Sequence, residues 1–423
     1  MKILWVSNTI FPDLAKSLGE NIPVIGGWMY GLALDLVSNG TELTVVTASK
    51  HHHKLSKKIN GIQYYLLESS TSIYNYDQSL ESQWVTVIKE TQPDVVHIHG
   101  TEAAHGLALM NKIPDLNYVI SIQGLISVYT RYYWGGLTES IIKKNITFRD
   151  VVRRDSLLKA KQKFKKRGEA VEVPYLKKTA HVIGRTHWDH THAITINPNI
   201  MYHFCNESLR KEFYDSRKWD ADSKKDYSLM ISSAAYPIKG MHKVLEAIKI
   251  VKKLYPEVKL NVVGKDITDS SSFSEKLRLS GYGKLLKNYI RENQLSDQVN
   301  FMGSLEAKGM IQAYLNNHAF ICPSSIENSP NSLGEAQLLG TPVIASYAGG
   351  IPDMVDHESS GLLYRFEEIE QLARHIIRIF EQPELAEKLS KGGIISATKR
   401  HDRERNLKDL MSCYTTILEN NHS

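Results

Sequence analysis

Nowhere does the sequence hold an uninterrupted apolar run near the roughly 20 residues that a membrane-spanning helix requires, which excludes a chain anchored by such helices. Cysteine is scarce: Cys205, Cys322 and Cys413 are far apart, odd in number and without a C-x-x-C pair. That usage excludes a disulfide framework and a structural zinc, and it suits a reducing compartment with three buried thiols. The net charge is only +6, and no aromatic-basic RNA motif or zinc-finger spacing accompanies it, so nucleic acid is not an expected partner. Long polar tracts are absent as well. With 42% hydrophobic and 23% charged residues, the chain is expected to fold throughout. The opening run Met1-Lys-Ile-Leu-Trp-Val-Ser breaks at Asn8 and meets Pro12, too short for the apolar core of a secretion signal, and it reads as a first strand.

What is present is alternation. Short β-branched runs ending in Gly, Ser or Asn are followed by segments of helical period, the pattern of parallel sheets with crossover helices. In the first half strands are expected at 3–7, 43–47, 95–99, 118–122 and 181–183. The series restarts with strands at 227–232, 260–263, 299–302, 319–322, 342–345 and 361–364 and a helix at 242–254. The fold class is α/β, with two doubly wound Rossmann-like domains, and 423 residues suit two cores. The polar stretch 214–226 serves as the linker, giving domains at 1–215 and 216–403 and a last helix at 404–423 that can pack on either one, back on the first included. Two such domains facing each other make a cleft at the carboxyl ends of their strands, where ligands of open α/β sheets bind.

Residues 141–172 break this rhythm. They carry eleven basic residues against four acidic ones and follow the aromatic cluster Tyr129, Tyr132, Tyr133 and Trp134. The segment reads as a helical insertion in the first domain. A basic helix beside aromatics can rest on an anionic membrane surface or receive an anionic acceptor, and a solvated charged face accounts for it equally well.

The most informative stretch runs from Cys322 through Glu327, Ser332, Glu335 and Gly340 to Ser346. A strand ends near Cys322, a loop carries Ser324 and Glu327, and Ser332 begins a helix that Gly340 ends. The helix start offers N–H groups and a positive dipole end to a phosphate. A carboxylate accepts paired hydrogen bonds from vicinal hydroxyls, which suits Glu327 and Glu335 to a sugar or ribose. For Glu335 there is a plain structural alternative, since Ser332-x-x-Glu335 is the pattern of a capping box. Glu327 has no such alternative beyond that of an exposed loop carboxylate.

From Ser232 to Tyr364 the chain resembles the nucleotide-binding domain of retaining glycosyltransferase family 4, which has the GT-B fold. The features that carry the resemblance are Glu327 and Glu335, the strand entry Gly340-Thr-Pro-Val343, the pair Gly349-Gly350, and the run from Asp356 to Gly361-Leu-Leu. The resemblance implies that Glu327 meets hydroxyls of the donor sugar, that Glu335 holds the nucleotide ribose, and that Asn331, Ser332 and Leu333 cradle the diphosphate with Lys239. The first half resembles the family more loosely, through Gly26-Gly27 in Pro23-Val-Ile-Gly-Gly and through Asp94-Val-Val-His-Ile-His-Gly100. His97 and His99 share one face of that strand; His99 is nearer its carboxyl end and is the candidate for the site, and His97 is read as structural. Gly26-Gly27 can let backbone approach a phosphate or can form an ordinary turn.

The chain departs from the family twice. Gln123-Gly124 stands where many members have His-Gly, which marks a divergent branch, and glutamine can hydrogen-bond a hydroxyl but cannot take a proton. Lys239-Gly240 is kept, but the arginine that many members carry before it is missing. Arg185, in Gly184-Arg-Thr-His-Trp-Asp189, can supply that charge or be a surface residue.

The activity implied is transfer of a sugar, with retention, from a UDP- or GDP-sugar to a saccharide or lipid-linked acceptor in surface polysaccharide assembly. No cofactor is expected beyond the donor, and no metal, since no Asp-x-Asp lies beside these elements. The location expected is cytoplasmic, with peripheral attachment to the inner membrane face. A sugar-nucleotide epimerase of the same fold, or an inactive nucleotide-sugar-binding scaffold, are the alternatives.

Overall fold

The computed structural model describes residues 1–21 and 27–420. It divides into two compact units, one made of Met1–Val128, Lys165–Arg210 and the chain from His401, the other of Tyr129–Phe164 and Lys211–Arg400.

In the first unit β1 (Lys2–Val6), β2 (Glu42–Ser49), β3 (Leu55–Ile59), β4 (Ile62–Glu68), β5 (Val95–His99), β6 (Tyr118–Ser121), β7 (His181–Gly184) and β8 (Met201–Phe204) form one sheet in the order β3-β4-β2-β1-β5-β6-β7-β8. All pairs are parallel except β3 with β4. Alternation along β1 shows why helices must cover both faces. Ile3 and Trp5 join a core with Leu32, Leu36 and the last helix, while Leu4 and Val6 join another with Trp84, Val87 and Leu107, because successive strand side chains point to opposite sides. All five strands expected here are found. The antiparallel β3–β4 hairpin was not expected, although its turn, Asn60-Gly61, has both residues at positive φ and is a strong hairpin signal. β8 was not expected either. It is an edge strand whose four residues are all at least partly exposed, so it lacks the apolar alternation that marks a half-buried strand.

The last helix, Arg403–Asn420, buries Leu410, Cys413, Tyr414 and Ile417 in the first unit's core. The Tyr414 hydroxyl accepts from Trp5 Nε1 at 2.9 Å and pairs with His97 Nδ1 at 2.6 Å. Sequence alone left this helix open between the two domains; the apolar side chains that close one face of the first sheet decide the matter.

The second unit has β9 (Ser228–Ile231), β10 (Lys259–Val262), β11 (Val299–Phe301), β12 (Ala319–Cys322), β13 (Val343–Ser346) and β14 (Leu362–Tyr364) in an all-parallel sheet ordered β11-β10-β9-β12-β13-β14. All six are the strands the periodicity predicts. The chain order reverses beside β9, so the loops after β9 and β12 flank a topological switch point, where open α/β sheets place ligands.

The basic segment expected as one insertion in the first domain is divided between the units. Residues 129–164 pack with the second: His242 Nε2 bonds the Gly135 carbonyl oxygen at 2.8 Å, Ser325 Oγ donates to the Tyr132 carbonyl at 3.2 Å, and Gly281 N donates to Asp150 Oδ2 at 2.9 Å. Residues 165–172 stay with the first, where buried Glu172 accepts from Ile126 N, Ser127 N and Thr101 Oγ1. Its carboxylate thereby secures the start of the short helix after Gln123-Gly124. Among the described residues no helix is long and apolar enough to cross a membrane.

Several buried histidines make the stability of both units depend on pH. Burial pushes His99 down to about 3, with the Arg185 charge adding to it, and holds His105 and His242 at about 4, against an ordinary value near 6.5. A depressed imidazole pKa contributes stability that is complete above about 6.5. It is lost as pH falls toward the folded value, because over that window the unfolded chain binds protons that the folded chain refuses. The unfolding temperature is therefore expected to fall progressively between pH 6.5 and 4; calorimetry showing a flat profile across that window contradicts it.

Candidate functional site

The site in the second unit is built where β12 ends. After Cys322 the chain runs through a loop holding Ser324 and Glu327 and enters the helix Asn331–Leu339, which Gly340 ends in the left-handed conformation, φ 80°. The N-cap is Pro330, with no side-chain cap. The helix thus starts one residue earlier than expected, and Ser332 is its second residue. The capping box Ser332–Glu335 does not form, so that explanation of Glu335 falls away. Glu335 is buried instead, 3.4 Å from the Tyr314 hydroxyl, which also donates to the Ser332 carbonyl at 3.0 Å. Proline has no side-chain acceptor for the first-turn N–H groups, so the positive helix end stays available to an anion.

Lys239 and Glu327 meet here from different loops. Lys239 Nζ lies 2.5 Å from Glu327 Oε1, which also accepts from Ser324 Oγ at 2.8 Å. Burial by itself would push the lysine pKa down, but the Glu327 charge and hydrogen bond outweigh it and hold the ammonium above its ordinary range. The Lys239 side chain as a whole keeps 36% of its surface open.

Two glycines explain why the loops can approach so closely. Gly240 ends the turn Pro237–Lys239 at φ +71°, and a Cβ there would strike the Pro323 carbonyl oxygen. Gly349, at φ +58°, packs on the Glu327 carbonyl, which also accepts from Gly350 N at 2.9 Å. Only glycine combines a left-handed backbone with such contact. The Lys-Gly and Gly-Gly pairs are therefore the means by which two loops bring an ammonium and a carboxylate together. Arg400, which the sequence did not mark, steadies the same loop by donating to Ser329 Oγ at 3.2 Å.

Beside the loop that carries Lys239, a cavity of about 360 Å³ opens in this unit. Tyr133, Arg149 and Asp155 of the 129–164 segment line it together with Tyr236, Lys265 and Asp266, which follow β9 and β10.

In the first unit the candidates form a second group. Arg185, expected to meet a phosphate or lie on the surface, is buried. It ion-pairs with Glu207, and its Nη2 donates to the Ile122 and Gln123 carbonyls at 2.9 and 3.2 Å. Gln123 Nε2 in turn donates to Glu207 Oε1 at 2.8 Å. Glu207 gave no signal in the sequence because it follows β8. His99 closes the group. It ends β5, lines a small cavity with Arg185 and Glu207, and stacks on His97 with ring centroids 3.9 Å apart. Both His99 ring nitrogens are buried, with no hydrogen-bond partner among the described residues. His97 is structural as expected, held by Tyr414 and by Ser121 Oγ at 2.6 Å. Gly26 lies outside the described residues; Gly27 begins the helix Gly27–Ser38.

Two doubly wound sheets, the second with its ligand-ready switch point, define the GT-B class of fold. Solved structures agree across nearly the whole chain. Sucrose-phosphate synthase from Thermosynechococcus elongatus superposes with a TM-score of 0.71 at 16% identity over 99% of both chains. HepE from Anabaena, solved in complex with UDP and glucose, gives 0.64 at 15% identity over 98% of this chain and all of that one. Residues 213–395 match the family described as glycosyl transferases group 1. Among similar proteins, spore coat protein SA of Bacillus subtilis is 26% identical over 42% of this chain and 45% of its own length. The Staphylococcus aureus capsular polysaccharide biosynthesis glycosyltransferase CapM is 25% identical over 43% and 44%. The chain spans less than half the length of these curated relatives.

Proposed function

We propose that the chain transfers a sugar from a UDP- or GDP-sugar to a hydroxyl of a saccharide or lipid-linked acceptor, with retention at the anomeric carbon and without a metal, in surface polysaccharide assembly. The observation that carries this reading is the Lys239–Glu327 pair beside the uncapped start of the helix Asn331–Leu339, inside the group 1 domain. CapM supports the polysaccharide setting, and the UDP complex of HepE supports a uridine donor.

As the anomeric C–O bond breaks, negative charge gathers on the departing diphosphate. Lys239 and the first backbone N–H groups of the helix, those of Asn331 and Ser332, receive such charge without reorganising as it develops; Leu333 N, expected to join them, already donates to the Pro330 carbonyl at 3.0 Å. Glu327 receives hydroxyls of the donor sugar while holding Lys239, Ser324 fixes Glu327, and Glu335 binds the ribose. Retention follows when the acceptor oxygen attacks the face the phosphate leaves: a C–O bond forms as the other breaks, and a phosphate oxygen takes the acceptor's proton. That route needs no side-chain base, which is compatible with Gln123 in place of histidine. Arg185 acts here by keeping Gln123 and Glu207 in position, and His99 lines the small cavity beside them.

Incubation with a panel of nucleotide sugars and oligosaccharide acceptors, followed by NMR of the anomeric proton, tests the reading. Formation of an α-linked product from an α-donor is expected. Epimerised sugar in a donor-only incubation would overturn it in favour of an epimerase, and binding without any turnover in favour of a scaffold.

A further inference from the structure

We propose that the short helix Phe148–Val152, together with the helix Phe273–Arg278 packed beside it, is a docking surface for an anionic lipid bilayer. The first helix is built inside out. Its polar residues face the protein: Asp150 is buried, closes a capping box with Thr147 and accepts from Gly281 N, and Arg149 grips Asp155 with two nitrogens at 3.2 and 3.0 Å. Its apolar residues face out, with Phe148 68%, Val151 65% and Val152 62% exposed. On the neighbouring helix Phe273 is 77% exposed, and Leu277 is exposed as well. One exposed apolar side chain is ordinary, but five on two adjoining helices are a patch that costs stability in water unless something covers it.

The surrounding charge selects the cover. Lys144, Arg153 and Arg154 flank the apolar tip and Lys276 lies on the second helix, all exposed; Lys143 and Arg278 are exposed too but pair with Glu139 and Glu275. An apolar tip ringed by cations matches the boundary between acyl chains and anionic headgroups, where the apolar side chains enter and the cations stay at the phosphates. The polar anchors explain how so short a helix holds this posture. Thr147, Asp150, Arg149 and Asp155 fasten it from the inside, and Arg154 turns the chain away in the left-handed conformation at φ 51°. The inference is independent of the transfer reaction, since it rests on burial and charge alone.

Cosedimentation of the full chain with vesicles tests it. Binding is expected to phosphatidylcholine vesicles that contain phosphatidylglycerol, and not to phosphatidylcholine alone. The triple variant Phe148→Ser/Val151→Ser/Val152→Ser, all at exposed positions, is expected to keep its unfolding temperature and to partition about tenfold more weakly. Lys144→Glu/Arg153→Glu is expected to weaken binding by roughly fivefold or more per charge and to leave the remaining binding less dependent on salt. No sedimentation, equal sedimentation with and without the anionic lipid, or unchanged binding of the triple variant overturns the proposal. So does a wild-type dimer in analytical ultracentrifugation that the triple variant abolishes, which assigns the face to a second copy of the chain.

Discussion

Replacing Lys239 by alanine is expected to lower kcat/KM for transfer by about 10²–10³, the usual effect of removing one preorganised donor to charge that develops in the transition state. The unfolding temperature should fall as well, because the substitution leaves the Glu327 carboxylate, whose side chain is only 11% exposed, without its charge partner. Glu327→Ala should reduce transfer to a similar degree, and the double variant should lose far less than the product of the two effects, since the residues act as one unit. Steady-state kinetics of the three variants decides the matter. Unchanged rates for Lys239→Ala would remove the pair from the reaction and with it the main support for the transfer reading.

Gly240→Ala is expected to damage stability and transfer together. Alanine at φ +71° strains the backbone, and its Cβ meets the Pro323 carbonyl oxygen; the two penalties sum to roughly 2–5 kcal/mol. For a unit of this size that corresponds to a fall of roughly 5–15 °C in the unfolding temperature. Relief of the clash must shift either the Lys239 turn or the start of the Glu327 loop, and a displacement of about 1 Å can cost on the order of 10²-fold in rate. Differential scanning calorimetry beside the transfer assay reads the two losses together. A Gly240→Ala protein with native stability and rate would mean that the turn does not set the pair's geometry.

The two glutamates illustrate how far local pattern reaches. Their spacing made the helix and its phosphate-facing end legible, but it also allowed Glu335 a capping role that one residue of helix boundary removes: with Pro330 as N-cap, Ser332 lies inside the helix and cannot cap it. Arg185 shows the opposite error. A cation after a strand reads equally as a ligand group or a surface residue, and only Glu207, delivered by the edge strand β8, shows that it is a buried structural ion. β8 carries no apolar alternation, so neither the strand nor the carboxylate behind it could be read.

By itself the sequence determined the two α/β units, most of their strands, and the loops at the second unit's switch point. These depend on local periodicity and on glycines whose backbone demands are written into the chain. Tertiary structure alone decided where the 129–164 segment and the last helix pack, that Lys239 is paired with Glu327, that Arg185 is spent on Glu207, and that Phe148, Val151 and Val152 face outward. Each of those depends on which distant surface a side chain meets, and neighbours in sequence do not record it.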